Sequence, residues 1–382
     1  MSAATEPQRR PLWLLTLSLA AVGIQALMLS PLLTDIARGL ETGAKQIGFA
    51  SGAYGIGVAA SALVAAPRLG KWQKRTAIRI SFAVLAMGLL LCTAATGWPM
   101  LAAGQLIAGL AAGVIIPAAY ALTGDISLPE ERSQALGRVL FGWSVSMVAG
   151  VPLAAVLSAF AGWRGTFLIV SGIAAVMVAG GALLPKTVGQ VESERASYVE
   201  TLRVPGVLLG YIATFSYMIG FYQTYTFIGD HVRQLHGTGA WLGGAISMSY
   251  GLGFGAGVIF DKWIDATGPR KLLALGLFFV GLNYAVLPYA AQSLVAIAVY
   301  PVLWGLANHF CMTTLVSFLG SLSAERRSAI MGLFSFVTYV SVGVAGAVFG
   351  SVYTGHGFFA VAFAATATLW ATAIAVAFWL RR

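Results

Sequence analysis

Apolar residues run along this chain in blocks of about twenty, separated by short breaks that carry charge, glycine or proline. A helix needs about 20 residues to cross the hydrocarbon of a bilayer. Blocks at 11–33, 47–66, 77–95, 100–122, 139–161 and 165–184 therefore predict six spanning helices. Six more follow at 204–228, 241–260, 272–290, 293–320, 329–351 and 358–380. The fold class expected is an all-α membrane protein of twelve transmembrane helices in two six-helix bundles, 1–184 and 204–382. Between them lies PKTVGQVESERASYVETLR, residues 185–203, the only long polar stretch between blocks. It reads as a cytoplasmic linker with a short surface helix. The first block is long enough to span by itself, so it is not read as a cleaved signal peptide.

Composition narrows the class further. Of 382 residues, 58% are hydrophobic and 9% are Asp, Glu, Lys or Arg, against roughly 25% charged in soluble domains. With a mean hydropathy of +0.83, a soluble enzyme, a nucleic-acid binder and a secreted disulfide scaffold are all excluded. The net charge of +10 has a membrane explanation, because basic residues collect on cytoplasmic loops. With the N-terminus inside, 19 of the 23 Lys and Arg fall on the cytoplasmic side, and Arg38, Lys45, Arg164 and Arg233 fall outside. A miscounted helix would scramble that split, so both termini are expected in the cytoplasm of a multi-pass protein. Cys92 and Cys311 lie within apolar blocks, where a free cysteine packs as a small hydrophobe; no disulfide is expected.

The two halves echo each other. Glu131-Arg132-Ser-Gln-Ala135 recurs as Glu325-Arg326-Arg-Ser-Ala329, and Gly109-Leu-Ala recurs as Gly305-Leu-Ala. The basic pair Lys74-Arg75 answers to Arg270-Lys271, and all three offsets lie between 194 and 196. Parallel repeats of this kind put a substrate site between the halves, near the bilayer midplane.

Twelve spans, the repeat and a basic turn after the second and eighth spans resemble the major facilitator superfamily. Its motif, roughly G-x-x-x-D-R-x-G-R-R, is best matched by Asp265-Ala-Thr-Gly268-Pro-Arg270-Lys271, a candidate gating turn. The first-half copy, Leu69-Gly70-Lys71-Trp72-Gln73-Lys74-Arg75, has Gly70 and Gln73 where Asp and Gly would stand. Span five carries Gly142, Gly150-Val151-Pro152 and Gly162-Trp163-Arg164-Gly-Thr-Phe167, similar to the antiporter motif of twelve-spanner drug:proton antiporters and related sugar and metabolite exporters. Gly150 and Pro152 join the gating candidates, and Gln105 stands where that family usually has an Arg. The resemblance implies a monomer in the inner membrane whose first, fourth, seventh and tenth spans line a cavity. The substrate-binding candidates on those spans are Gln25; Gln105 and Tyr120; Tyr217, Tyr222 and Gln223; and Trp304, Asn308 and His309. Aromatic rings with an occasional amide suit a partly apolar small molecule.

Ionisable residues at membrane depth are functional candidates by default. All thirteen acids are expected in loops or at span ends, which leaves His309, beside Asn308, as the titratable side chain in mid-span. It is a proton-coupling candidate; the competing reading is a neutral histidine bonding across a helix interface. Asp35 is a second candidate, or a loop carboxylate pairing with Arg38. Asp125 is a third, or a member of a cytoplasmic network with Glu130, Glu131 and Arg132. The glycines at 251, 253, 255 and 257, and those at 48, 52, 55 and 57, read as close helix contacts. Pro31, Pro117, Pro152, Pro288 and Pro301 are kink candidates.

The function expected is that of a secondary transporter working by alternating access. It would export a small neutral or zwitterionic solute against protons, with no cofactor, metal or nucleic acid. No P-loop is present to hydrolyse ATP, and no His-Glu-x-x-His, Gly-x-Ser-Gly or mid-membrane aspartate pair supports an enzyme. An uncoupled facilitator and a multidrug cation pump are the alternatives. A cation pump needs a buried negative charge to offset desolvation of its ligand, and none is evident in mid-span.

Overall fold

The computed structural model describes residues 6–65, 72–128, 131–187, 198–323 and 325–380, and the expected spans are present as helices. Among the described residues, eight helical stretches are long and apolar enough to cross a membrane. Two of these, Gln134–Leu183 and Ala329–Trp379, are 50 and 51 residues long. Each is a pair of spans reversing at a glycine held at positive φ, Gly162 at 67° and Gly357 at 76°, a conformation that costs a residue with a Cβ. The remaining two spans are helices of 22 and 30 residues, Ala44–Ala65 and Val207–His236.

In chain order, span one is α1 (Glu6–Leu27) and α2 (Leu29–Gly39), span two α3 (Ala44–Ala65), span three α4 (Lys74–Thr93) and span four α5 (Trp98–Ile126). Span five comprises α6 (Arg132–Val145), a π turn (Ser146–Gly150) and the start of α7 (Val151–Gly180), whose second part is span six. After α8 (Tyr198–Leu202), a short helix within the expected linker, come α9 (Val207–His236) and α10 (Trp241–Ala256). A 3-10 turn leads to α11 (Asp261–Thr267), then α12 (Pro269–Ala290), α13 (Leu294–Val299), α14 (Pro301–Ser321) and α15 (Arg327–Leu380). The greater part of the linker, 188–197, and the Leu69-Gly70-Lys71 portion of the first-half motif lie outside the described residues, as does Glu130.

Proline explains three interruptions. A proline at position i cannot bond the carbonyl at i−4. Pro31 accordingly follows the break after Leu27, Pro152 follows the π turn that contains Val148, and Pro301 follows the break at Tyr300. Pro117 and Pro288 remain inside α5 and α12.

The hairpin in α15 follows from its contacts. Tyr211, near the start of α9, donates to the Ile330 carbonyl at 3.0 Å, and Gly206 lies under Trp379. Near the other end of α9, Tyr353 bonds Asp230 and Phe358 stacks on His231. Both ends of α15 thus meet the start of α9 while its middle meets the end. In α7, the Trp163 indole lies against Gly39 while Arg79 donates to the Val178 carbonyl. Two faces result. One carries Lys74, Arg75, Arg270, Lys271, Arg326 and Arg327, and is called the basic face; the other, holding Gly39, Gly162 and Gly357, is the far face.

The halves touch along glycine stripes. Gly48 and Gly55 of α3 lie against Gly346 and Gly343 of α15, and Gly244 and Gly251 of α10 lie against Pro152 and Val148. Moving each residue of the first pair of contacts by about 195 positions generates the second, so the duplication in sequence is a pseudo-twofold axis in space. Gly253 meets the Val302 backbone and Gly257 meets His309. The glycine runs are helix contacts, as expected.

A Cβ on Gly346 would collide with the Gly48 carbonyl and the Gly52 amide, both backbone atoms, whereas Gly124 has nothing within 4 Å. Overpacking costs about 1–3 kcal/mol. Gly346→Ala is expected to lower the unfolding midpoint of the detergent-purified protein by several degrees, and Gly124→Ala to leave it unchanged or slightly raised. Differential scanning fluorimetry of the two variants decides it.

Candidate functional site

The first and seventh spans cross at the far face. Ser30 donates to the Tyr225 carbonyl, and a Cβ on Gly229 would stand 2.9 Å from the Ser30 carbonyl. One turn further out, Arg233 grips Asp35 with both Nη atoms, at 2.6 and 2.7 Å. Asp35 had been expected to pair with its neighbour Arg38 if it paired at all. The fork of Arg233 wins because it donates to both carboxylate oxygens at once. Beside this pair, Asp230 is only 2% exposed and accepts three bonds of 2.7 Å, from Thr34 Oγ1, Gln234 Nε2 and Tyr353 Oη.

Asp230 corrects the sequence reading. The seventh span was expected to stop at 228 with its acid in a loop, but α9 runs to His236 and buries the carboxylate. Hydropathy fails there because the end of α9 is polar, its polar groups being satisfied by α2 and α15 rather than by lipid.

A second constellation lies between the halves. The phenols of Tyr54 (α3), Tyr120 (α5) and Tyr222 (α9) are all close enough to Tyr339 (α15) to interact with it electrostatically. Tyr54 Oη is buried without a hydrogen-bond partner, and Tyr120 Oη accepts from Trp143 Nε1 at 3.3 Å. Tyr222 in addition reaches the phenols of Tyr217, Tyr225 and Tyr250, and Tyr120 meets Trp143, so the partners of this group are themselves uncharged rings. Tyr54 and Tyr339 escaped the sequence reading because it started from the first, fourth, seventh and tenth spans.

The other candidates are dispersed. Gln25 donates to Gln105 Oε1 at 2.8 Å, and Gln105 in turn points Nε2 at Cys92 Sγ, so this amide pair is buried inside the first half. Gln223 donates to the Val361 carbonyl and faces the twelfth span. Trp304 is fully buried among Phe221, Tyr225, Tyr250 and Tyr284. Asn308 donates to the Trp304 carbonyl in its own helix, and Tyr217 donates to the Asn308 carbonyl. Gln25, Gln105, Gln223, Trp304 and Asn308 are engaged by packing and hydrogen bonds away from Tyr120 and Tyr222, whereas the Tyr217 phenol lies near that of Tyr222.

His309 is placed differently again. Its ring sits over Gly257, edge-on to Phe254, with Nε2 3.0 Å from Asp261 Oδ1 and Nδ1 buried without a partner. The acid comes from the start of α11, which the sequence could not pair with a histidine 48 positions away.

On the basic face, Lys74, 4% exposed at its side chain, pairs with Asp125 at 2.8 Å. The first-half motif thus keeps an ion pair although Gly70 and Gln73 replace its Asp and Gly. Asp125 serves Lys74 rather than Arg132. In the second-half copy, Gly268 turns the chain at φ 90°, Arg270 lies over the Trp379 ring at 5.2 Å, and Asp265 and Lys271 are exposed. Gly150 packs on Ile24 and Pro152 on Gly244, so span five is wedged between the first and eighth spans.

Two six-helix halves zipped at one face around an axis of pseudo-symmetry define a polytopic membrane carrier. The sequence profile of the Major Facilitator Superfamily matches residues 15–347, and the chain belongs to that family of transporters. It is 29% identical over 355 residues to YwfA, an uncharacterized MFS-type transporter of Bacillus subtilis (strain 168), covering 91% of this chain and 86% of that one. A chloramphenicol resistance protein of Streptomyces lividans is 27% identical over 283 residues, 71% of each chain. The inner membrane transport protein YdhP of Escherichia coli (strain K12) is 25% identical over 304 residues, 77% of each chain. Among solved structures, a bacterial homologue of the human lysosomal transporter Spinster, in an inward-facing and unoccupied conformation, superposes with a TM-score of 0.78. That match covers 99% of this chain and 96% of that one at 16% identity.

Hydrogen bonds to a charged group contribute about 1.5–3 kcal/mol, so losing the Asp35–Arg233 fork shifts an open–closed equilibrium about ten- to a hundredfold. A cysteine at Ser30, beneath the fork, reports this, since native Cys92 and Cys311 are both buried. Asp35→Asn is expected to speed labelling of that cysteine by a membrane-impermeant maleimide severalfold. The exchange Asp35→Arg with Arg233→Asp is expected to slow it again.

Proposed function

We propose that this protein exports a small neutral or zwitterionic organic solute across a bacterial inner membrane, by alternating access and in exchange for protons. The basic face is taken as cytoplasmic on the distribution of Lys and Arg, and the far face as the outer one. The observation that carries the substrate class is the uncharged setting of Tyr54, Tyr120, Tyr222 and Tyr339. Four phenols from both halves offer flat apolar surface and hydroxyls, one of them unpartnered, to a ligand that carries hydrogen-bonding groups. A lipophilic cation would have to lose its hydration there without a carboxylate to replace it.

Closure at the outer side by the Asp35–Arg233 fork and the glycine stripes supports a resting state reached from the cytoplasm, which suits export. The chloramphenicol resistance of one relative supports the same direction. For coupling, the His309–Asp261 pair supplies a titratable side chain between the eighth and tenth spans.

The test is thermal stabilisation by a panel of neutral metabolites, chloramphenicol and lipophilic cations, because binding to the folded state alone raises apparent stability by mass action. A neutral or zwitterionic compound is expected to stabilise the protein. Tyr54→Phe or Tyr339→Phe is expected to weaken its binding about fivefold, the loss of one hydrogen bond of about 1 kcal/mol. In proteoliposomes, His309→Gln is expected to abolish transport driven by a proton gradient while sparing solute exchange. Stabilisation by cations alone overturns the reading.

A further inference from the structure

Asp230 is a buried carboxylate that neither the fork nor the tyrosine group uses. Its three donors come from three sources: Thr34 from the first half, Tyr353 from span eleven and Gln234 from the next turn of α9. The carboxylate therefore joins the halves through Thr34. Two cavities flank its donors on the outer face. A cavity of about 440 Å3 is lined by His231, Gln234, Tyr353, His356 and Phe358, and two of those side chains are donors to Asp230. A second cavity, of about 310 Å3, is lined by Thr34, Arg38, Arg233 and Gln234 on the other flank. The carboxylate is thus covered by side chains that each border solvent on the outer side.

We propose that Asp230 is the site at which protons from the outer face act on the transport cycle: its carboxylate latches the closed outer side, and its protonation releases the latch. Oδ1 accepts from Thr34, and Oδ2 accepts from both Gln234 and Tyr353. A proton arriving from water in the larger cavity and adding to Oδ2 makes that oxygen a donor. It can then no longer accept both bonds, and Tyr353 turns its hydroxyl to water. A proton adding to Oδ1 reverses the bond to Thr34. Either way the link between the halves weakens, and the neighbouring fork alone holds the closure. The titratable and charged groups around Asp230 are His231, Arg233 and His236 on α9, Asp35 and Arg38 on α2, and Tyr353 and His356 on α15, while Lys45 on α3 holds its ammonium over the Phe49 ring. Arg233 is occupied by Asp35, and His236 faces the Ala291 carbonyl at 2.7 Å. His231 and His356 are the rival proton acceptors, both at the larger cavity.

The inference rests on the proton-coupled reading above, and one experiment separates the two. Spin labels at Thr96→Cys and Gln292→Cys, in exposed outer turns of the two halves, report the outer opening by double electron–electron resonance across a range of pH in lipid nanodiscs. In the otherwise native protein, a longer-distance population is expected to grow as pH falls. Asp230→Asn is expected to hold that population at a level independent of pH, while His231→Gln and His356→Gln keep the response. Thr34→Val, a milder change that keeps the carboxylate and removes its one donor from the first half, is expected to enlarge the longer-distance population at every pH while keeping its dependence on pH. It also answers the question if Asp230→Asn fails to fold. A native response that survives in Asp230→Asn, or that vanishes in either histidine variant, overturns the assignment and leaves proton coupling standing. No response in the native protein overturns both.

Discussion

The crossing of the first and seventh spans, where Ser30 bonds the Tyr225 carbonyl, is the contact on which the carrier's state depends. Inside a bilayer two helix bundles gain little from apolar contact, since lipid is as apolar as leucine. They are held by close packing and by the few polar bonds that reach across. Here those bonds gather within two helical turns: Ser30 with Tyr225, Thr34 with Asp230, and Asp35 with Arg233. Because they sit at one face, they close one side and leave the other to the loops of the basic face. The glycine stripes of spans two and five against eleven and eight continue the same seam by letting backbones approach.

Duplication explains why so few bonds suffice. Residues about 195 positions apart meet at the crossing because the repeat axis passes through it. The contact of α3 with α15 repeats as that of α10 with span five. The basic face has ion pairs of its own: Lys74 pairs with Asp125 inside the first half, and Arg326 of the second half pairs with Glu200 of the linker helix α8. Polar groups whose needs are met inside one half, such as Gln25 with Gln105, travel with that half.

Much of the fold was legible because hydrophobic length and punctuation are local. The twelve blocks, the proline breaks at 31, 152 and 301, and the glycine runs as contact stripes all follow from properties of a residue and its near neighbours. The candidate site was less legible. Rings in the seventh and tenth spans look alike in sequence whether they face the interface, as Tyr222 does, or fill a core, as Trp304 does. A helix presents its side chains around its whole circumference, and an interior-facing polar residue cannot be told from an interface-facing one when both are surrounded by apolar neighbours. Tyr54 and Tyr339, on spans the family expectation left aside, carried no sequence signal of their own.

The sequence by itself determined the class, the count of spans, the basic character of the loops that gather at one face and the internal repeat. Each is a sum over local composition or a comparison along one chain. Only the tertiary structure decided which charges meet. Asp35 turned from Arg38, three positions away, to Arg233, 198 positions away; His309 found Asp261; and Asp230 became a buried carboxylate rather than a loop acid. The physical reason is that an ion pair or a buried acid is fixed by distances of about 3 Å between atoms on different helices. Those distances exist only once the helices have packed.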